Sequence, residues 1–264
     1  MDNNTKFRRN GFRPRNERPA EMSENVIYGR NAVIELLKTG RSVNKIFIKE
    51  GEREGSLKLI GAQAAERGIP LVQVTKSRLD ELAQDMQHQG VVAMAAERDY
   101  CTVDEILDYA RQRQEKPLIV IADGIEDPQN LGALIRTAEC AGAHGIIIPK
   151  RRSVGLTGAT AKASAGAIEH IRIARVTNLA ATVDELKEKG LWIYAAEVGG
   201  IPYTQADLSG AVAIVLGSEG FGVSRLIREK SDYILSIPMY GQVNSLNVST
   251  AASVLLFEAA KQHH

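Results

Sequence analysis

From residue 25 onward, short apolar runs alternate with stretches whose apolar residues recur at helical spacing. The first pattern is typical of buried strands and the second of amphipathic helices. The elements predicted in this first part of the chain are helices over 32–37, 57–67 and 78–86 and strands over 45–48, 71–74 and 91–95. Ser77 precedes the third helix as its expected N-cap. The alternation predicts a small α/β domain over residues 25–97.

The second half of the chain repeats the alternation with longer and more continuous apolar strands. Runs such as 146–148 and 212–216 favour a parallel sheet that is covered on both faces. The predicted strands are 118–122, 145–149, 171–176, 191–196, 211–216 and 233–237, and the predicted helices are 131–141, 157–167, 179–189, 224–230 and 245–262. We therefore predict a second α/β domain over residues 117–264, joined to the first by a connector over 98–116 that carries a charged helix.

Composition narrows the class of protein. The chain has 264 residues, of which 44% are hydrophobic, as is ordinary for a globular protein. No apolar run approaches the roughly 20 residues that span a bilayer, and residues 1–20 lack the apolar core of a signal peptide. Cys101 and Cys140 show no motif spacing, which indicates a reducing compartment. We expect a cytoplasmic protein with no membrane partner and no metal, since no cysteine pairs accompany its few histidines.

The net charge of +1 is unevenly distributed along the chain. Residues 1–24 contain six basic and four acidic residues, interspersed with Asn, Pro and Gly, whereas the rest of the chain is close to neutral. A segment of this composition cannot bury a core, so we expect it to be disordered. It is either a basic arm that contacts phosphates or a solubilising tail without a partner.

Three polar segments stand where a predicted strand gives way to a predicted helix. They are Asn130–Arg136, Leu216–Gly222, and Ile237–Met239 leading into Ser245–Ser249. Ligands bind at this edge of open α/β sheets, so the three segments are candidates for one site. They contain Asn, Arg, Glu and Ser but no His or Cys. That set suits chemistry on a hydroxyl group near phosphates better than a His-assisted nucleophile.

Each segment taken alone also has an ordinary structural interpretation. The glycine spacing GxxGxG differs from the dinucleotide fingerprint and fits a simple strand-to-helix turn. Arg136 could form a solvated pair with Glu139. Ser245 could be only a helix N-cap. The small residues of the last helix suit either close packing on the sheet or a dimer contact.

Together, and in this order, the segments resemble the three motifs of the SpoU family of RNA ribose 2′-O-methyltransferases, within the SPOUT superfamily, over residues 117–264. The front domain resembles the family's RNA substrate-binding domain, a ribosomal-protein-like fold, through Tyr28–Val33 and Gln89–Val92. The resemblance implies S-adenosylmethionine as cofactor, RNA as substrate, a homodimer through the catalytic domain, and a deep trefoil knot in the second domain. The knot overrides the general expectation that connections do not thread loops.

The resemblance also implies roles for ten residues. The implied catalytic residues are Arg136, Asn130, Glu219, Ser245 and Asn247. The implied cofactor-binding residues are Gly217, Ile237, Leu246, Met239 and Ala196. Because a guanidinium stays protonated in proteins, Arg136 could bind a phosphate and stabilise developing alkoxide charge rather than act as a base. The hydroxyl proton would then go to a phosphate oxygen, to water or to Glu219.

The two-domain layout resembles members that methylate a guanosine of large-subunit (23S) ribosomal RNA more than members that act on tRNA. Single-stranded or looped RNA is the expected target, because a base there can be splayed out and read on its edges. Two alternatives stay open: a tRNA ribose 2′-O-methyltransferase, and a non-catalytic RNA-binding or ribosome-assembly protein of the same fold.

Overall fold

The protein contains two β-sheets, one in each half of the chain. The computed structural model describes residues 24–51 and 55–264. The basic arm predicted over residues 1–24 therefore lies, except for its last residue, outside the described residues. Within the described ranges, no helix is long and apolar enough to cross a membrane.

The first sheet has four strands in the order β1-β4-β2-β3. Strand β4 is antiparallel to β1 and β2, whereas β2 and β3 are parallel. The elements in chain order are β1 (Glu24–Tyr28), α1 (Arg30–Lys38), β2 (Val43–Lys49), α2 (Ser56–Glu66), β3 (Leu71–Val74), α3 (Lys76–Leu82) and β4 (Val91–Ala96). This small mixed sheet with its helices confirms the α/β class that the sequence pattern predicted.

Two details of the first unit differ from the prediction. Strand β1 was not predicted, because its apolar run is too short to stand out; it forms by pairing with β4. Helix α3 is capped by Thr75 rather than Ser77, with the Thr75 side chain accepting a hydrogen bond from the backbone N–H of Arg78. The helix ends at Leu82 rather than residue 86 because Gln84 and Asp85 have positive φ values of 52° and 60°, which α-helix cannot accommodate.

The second sheet has six strands in the order β10-β8-β9-β5-β6-β7, and every neighbouring pair is parallel. The elements are α4 (Val103–Gln112), β5 (Leu118–Asp123), α5 (Pro128–Cys140), β6 (Gly145–Pro149), α6 (Gly158–Ala163), β7 (Arg172–Val176), α7 (Leu179–Glu188), β8 (Trp192–Pro202), β9 (Val212–Gly217), α8 (Arg225–Lys230), β10 (Tyr233–Ser236) and α9 (Val248–His263). The predicted parallel sheet is confirmed, whereas the trefoil knot and the exact domain boundaries stay predictions.

The central strands of this sheet are buried on both faces. Ile119 and Ile121 pack with Val183 of α7 on one face, and Val120 belongs to the opposite cluster with Leu134 of α5. All five side chains are fully buried. Because both faces need apolar residues, these strands appear in the sequence as continuous hydrophobic runs.

Three boundaries in the second unit differ from the prediction. Strand β8 continues to Pro202 rather than ending at Ala196. Helix α6 stops at Ala163, and a short 3₁₀ turn follows over Ala167–Glu169, because Ala165 and Gly166 have positive φ. Helix α9 begins at Val248 with Asn247 as its N-cap, so the expectation that the helix starts at Ser245, and that Ser245 caps it, is wrong.

The first unit is tightly seated against α6 and the turn that follows it. A Cβ added to Gly158 would lie 2.1 Å from the carbonyl oxygen of Val26, so only glycine fits there. Glu169 forms a 2.7 Å ion pair with Arg41, with 3% and 10% of the two side chains exposed. Arg98 lies 3.7 Å from the same carboxylate. The contact between the two units is therefore close-packed and partly ionic.

Candidate active site

A cavity of about 650 Å³ lies at the carboxyl end of strand β9, beside the middle of β8 and the segment that follows β10. Eight of the ten residues predicted for the site line it: Ala196, Gly217, Glu219, Ile237, Met239, Ser245, Leu246 and Asn247. The parallel sheet explains the convergence, because parallel strands bring their carboxyl ends to one edge. The structure thus gathers the second and third polar segments around a single cavity.

Asn130 joins the first segment to the other two through a cluster of hydrogen bonds. Its side-chain amide donates to Oε1 of Glu219 over 3.0 Å. The amide of Asn247 donates to Oδ1 of Asn130 over 2.9 Å and also to Oε1 of Glu219. Oε2 of Glu219 takes no part in these bonds. Two asparagines, 89 and 28 positions from Glu219 in the chain, therefore orient its carboxylate.

Local structure fixes two members of this cluster. Asp127 caps α5 by accepting a hydrogen bond from the backbone N–H of Asn130 over 3.0 Å, which sets Asn130 in the first turn. Oδ1 of Asn247 accepts from the backbone N–H of Ser249 over 2.9 Å and of Thr250 over 3.4 Å. Asn247 is therefore both the N-cap of α9 and a donor to Glu219.

The glycine-rich loop after β9 is a closed turn. Backbone hydrogen bonds run in both directions between Ser218 and Gly222, at 3.1 and 2.9 Å. A Cβ on Gly217 would lie 2.0 Å from the carbonyl carbon of Gly222, so a side chain there would collide with backbone. Gly220 and Gly222 have φ values of +84° and +67°. The glycines thus permit a tight turn, and the turn presents Glu219 and Phe221 at the cavity.

The ionisable side chains that line this cavity are both acidic. They are Glu197 and Glu219. Glu197 Oε1 accepts a hydrogen bond from the backbone N–H of Val223 over 2.7 Å. The apolar part of the lining includes Leu216, Leu235 and Ile237. A cavity that the described residues line with apolar walls and two carboxylates favours a ligand that combines an apolar ring system with a positive centre.

A second cavity of about 580 Å³ lies beside the first. Five residues border both: Ser218, Glu219, Phe221, Gly222 and Val248. The second cavity is also lined by Asn130, and by Arg151 and Arg152 of the loop after β6. The hydrogen-bonded cluster of Asn130, Glu219 and Asn247 therefore lies between the two spaces.

Arg136 lines neither cavity within the chain. It lies on the exposed face of α5, two turns beyond the start of the helix. In the described part of the chain, its guanidinium has no hydrogen-bond or ion-pair partner, so the pair with Glu139 that spacing allowed does not form. Helix α5 packs against α9, where Phe257 is 52% exposed. Arg136 is thus exposed on a helix whose neighbour also carries an exposed aromatic residue.

Sequence reasoning missed four residues that border the cavities. Glu197 directly follows the predicted Ala196 but lies outside the three selected segments, whereas Phe221 lies inside the glycine-rich segment. Arg151 and Arg152 follow the predicted strand 145–149. The rule that places ligands at carboxyl ends of parallel strands would have found the two arginines had it been applied to every strand.

Both halves of the chain match known protein families. Residues 117–257 match the model described as the SpoU rRNA Methylase family. Residues 26–101 match the model described as RNA 2′-O ribose methyltransferase substrate binding. The two matches follow the two sheets, and the first includes all three polar segments.

Relatives and solved structures agree with these matches. A Staphylococcus haemolyticus protein assigned to the TrmH family of tRNA/rRNA methyltransferases is 46% identical over 92% of this chain and 98% of its own length. The AdoMet-bound rRNA methyltransferase from Sinorhizobium meliloti is 26% identical, with a TM-score of 0.73, over 90% of this chain and 87% of that chain. The A. aeolicus TrmH/SpoU tRNA modifying enzyme is 29% identical, with a TM-score of 0.51, over 60% of this chain and 83% of that chain.

Proposed function

The chain belongs to the SpoU family of RNA methyltransferases, and we propose that it methylates a ribose 2′-hydroxyl of a guanosine in 23S ribosomal RNA. The observation that carries the proposal is the convergence of three distant segments on one carboxylate between two cavities. The description of the family model for residues 26–101 supports the ribose 2′-hydroxyl as acceptor.

The first cavity fits S-adenosylmethionine as cofactor. This molecule combines an adenosine with a positively charged sulfonium, and the cavity combines apolar walls with two carboxylates. Gly217, Ile237 and Leu246 line this cavity, and their main-chain groups would bond the base while apolar side chains pack on it. The bound cofactor supplies the activated methyl group. The solved rRNA methyltransferase from Sinorhizobium meliloti carries AdoMet, which agrees with this choice.

The residues between the cavities would bind and orient the acceptor hydroxyl. Asn130 and Asn247 hold Oε1 of Glu219, and Oε2 is left to accept a hydrogen bond from the sugar. Holding the hydroxyl in line with the methyl group lowers the barrier by orientation alone. Glu219 is also one of three candidate acceptors for the hydroxyl proton, beside water and a phosphate oxygen. Ser245, exposed at the cavity wall, is a further donor toward the substrate.

Arg136 would act in the partner's site of a homodimer. Arg136 of α5 and Phe257 of α9 are both exposed on helices that pack against each other, and an exposed helix pair suits a two-fold contact between copies. A guanidinium from the second copy would bind the phosphate next to the acceptor ribose and stabilise developing negative charge.

Mixed dimers test this arrangement. The Arg136→Ala chain is expected to be inactive alone, and the Asn247→Ala chain to keep only about a tenth of wild-type activity. Co-expression should restore about a quarter of wild-type activity, because one site in four then has an intact arginine and an intact asparagine. Absence of recovery in a purified mixed dimer would place Arg136 and Asn247 in the same chain's site and reject the contribution from the partner.

Ribosomal RNA is favoured over tRNA by the extent of the structural matches. The rRNA methyltransferase covers 90% of this chain, whereas the tRNA modifying enzyme covers 60%. A substrate-binding domain ahead of the catalytic one agrees with a large folded RNA as target.

The direct test offers methyl-labelled S-adenosylmethionine with separate pools of unmodified 23S rRNA, 16S rRNA and tRNA. We expect label in 23S rRNA, resistant to alkaline cleavage at one ribose, and no label with Glu219→Gln. Label only in tRNA would reject the ribosomal target and keep the chemistry. Binding of RNA without label in any pool would favour a non-catalytic RNA-binding protein.

A further inference from the structure

The two cavities differ in the charge of the side chains that line them. Among the described residues, the ionisable side chains that line the first are Glu197 and Glu219, whereas the second is lined by two arginines together with Asp123, Glu126, Asp127 and Glu219. Two of these four carboxylates accept hydrogen bonds from backbone N–H groups: Asp123 from Ser224 at 2.7 Å, and Asp127 from Asn130 at 3.0 Å. The guanidinium groups that could bind a phosphate therefore border the second cavity and, in the described part of the chain, not the first.

Arg151 and Arg152 are available for an anion. Both are exposed, and neither guanidinium has a hydrogen-bond or ion-pair partner among residues 24–51 and 55–264. They lie in the loop that follows β6, at the edge of the sheet where the other polar segments converge. Arg152 has a φ of +56°, an uncommon conformation for a residue with a side chain. Two adjacent guanidinium groups suit neighbouring phosphates of an RNA backbone.

Phe221 stands on the wall that the two cavities share. Its side chain is 94% exposed although it is large and apolar. The glycines on either side adopt left-handed backbone conformations, which hold the loop so that Phe221 projects outward. An exposed aromatic ring close to exposed arginines is an arrangement by which proteins stack an unpaired base and bind its backbone.

We propose that the second cavity is the subsite for the acceptor nucleotide, in which Phe221 stacks on a base and Arg151 and Arg152 bind the flanking phosphates. This inference rests on the proposed function, since the sugar between that base and those phosphates would lie against Glu219. It assigns the selection of an unpaired nucleotide to the catalytic domain itself, in addition to the front domain.

Substitutions of Phe221 test the stacking contact. Phe221→Leu keeps an apolar side chain and removes the aromatic face, whereas Phe221→Trp keeps the face. For a single-stranded oligoribonucleotide, the Leu variant should bind roughly 5- to 150-fold more weakly, and the Trp variant should bind like wild type. The affinity for S-adenosylmethionine should be unchanged in both. Loss of cofactor affinity with unchanged RNA affinity would mean that Phe221 covers the cofactor and would overturn its place in the subsite.

Substitutions of the arginines test the phosphate contacts. Arg151→Ala and Arg152→Ala should each reduce the slope of log affinity against log salt by roughly 0.7, the value for one lost phosphate contact on single-stranded RNA. Phe221→Leu should leave that slope unchanged. Arg111→Ala is the matched control, because Arg111 is an exposed arginine that lines neither cavity. Slopes equal to that of the control would overturn the role of the two arginines.

These tests separate failure of the subsite from failure of the proposed function. Normal methylation with unchanged KM and RNA affinity in all three variants would overturn the subsite and leave the function standing. RNA binding that the variants weaken as described, without methylation by the wild-type chain, would support the subsite and reject the methyltransferase activity.

Discussion

The side-chain amide of Asn247 caps a helix and also donates hydrogen bonds in the candidate site, and substitutions can separate these two functions. Its oxygen caps α9, and its nitrogen donates to Asn130 and Glu219. Asn247→Ala removes both functions. Loss of an N-cap costs about 1 kcal/mol. In a chain of this size, such a loss should lower Tm by roughly 2–4 °C.

The expected loss of activity in Asn247→Ala follows from the hydrogen bond that Asn247 donates to the carboxylate of Glu219. A hydrogen bond to a charged group contributes about 1.5 kcal/mol at the low end of its range, the appropriate end because Glu219 is exposed. If that bond orients Glu219 in the transition state, its loss should lower kcat about tenfold. Asn247→Ser should retain Tm, since serine is also a good N-cap, and should lose the same activity. Asn247→Asp should also retain Tm but lose more activity, because it places a second carboxylate beside Glu219.

The assay pairs thermal unfolding by circular dichroism with steady-state methyl transfer to RNA on the same preparations. A serine variant with full activity would show that Asn247 serves only as a helix cap. An alanine variant with unchanged Tm would contradict the capping argument.

Three further predictions concern other parts of the chain. Gly217→Ala should abolish cofactor binding in calorimetric titration, because its Cβ would lie 2.0 Å from the carbonyl carbon of Gly222; retained affinity would mean that the loop can open. Burial lowers the pKa of His144, whose Nδ1 accepts a hydrogen bond from the backbone N–H of Leu118. His144 therefore binds a proton more readily in the unfolded chain than in the folded one. The free energy of unfolding should fall as pH drops below about 6.5, the ordinary pKa of histidine. Urea unfolding at several pH values should show a smaller decline for His144→Gln, and an equal decline would assign the effect elsewhere. Glu169→Ala should lower the free energy of unfolding by about 3–5 kcal/mol, because it leaves Arg41 buried without its partner; a loss below 1 kcal/mol would contradict this reasoning.

The sequence allowed the sheet and the first cavity to be predicted for one physical reason. A parallel strand covered on both faces must be apolar at every position, so runs such as 146–148 stand out. The polar residues that follow such strands then share one edge. On that basis Gly217 and Asn247 are predicted to lie beside the same cavity.

Other features depend on contacts that a linear pattern does not contain. Strand β1 forms by pairing with β4. Helix α3 ends where Gln84 and Asp85 adopt left-handed backbone conformations. The position of Arg136 relative to the cavities is another feature that the linear pattern does not contain. Its guanidinium lies on an exposed face of α5 that borders neither of the two cavities described, and the order of residues does not reveal this.

The absence of a side chain at Gly158 has a consequence for how the protein meets a large RNA. Val26 packs against that position and Glu169 is paired with two arginines, and these contacts oppose a change in the angle between the front unit and the second sheet. An RNA that contacts both units would then have to present its contact element and its target sugar at the spacing that the protein sets. The folded shape of the RNA would in that way select the substrate before the methyl group is transferred.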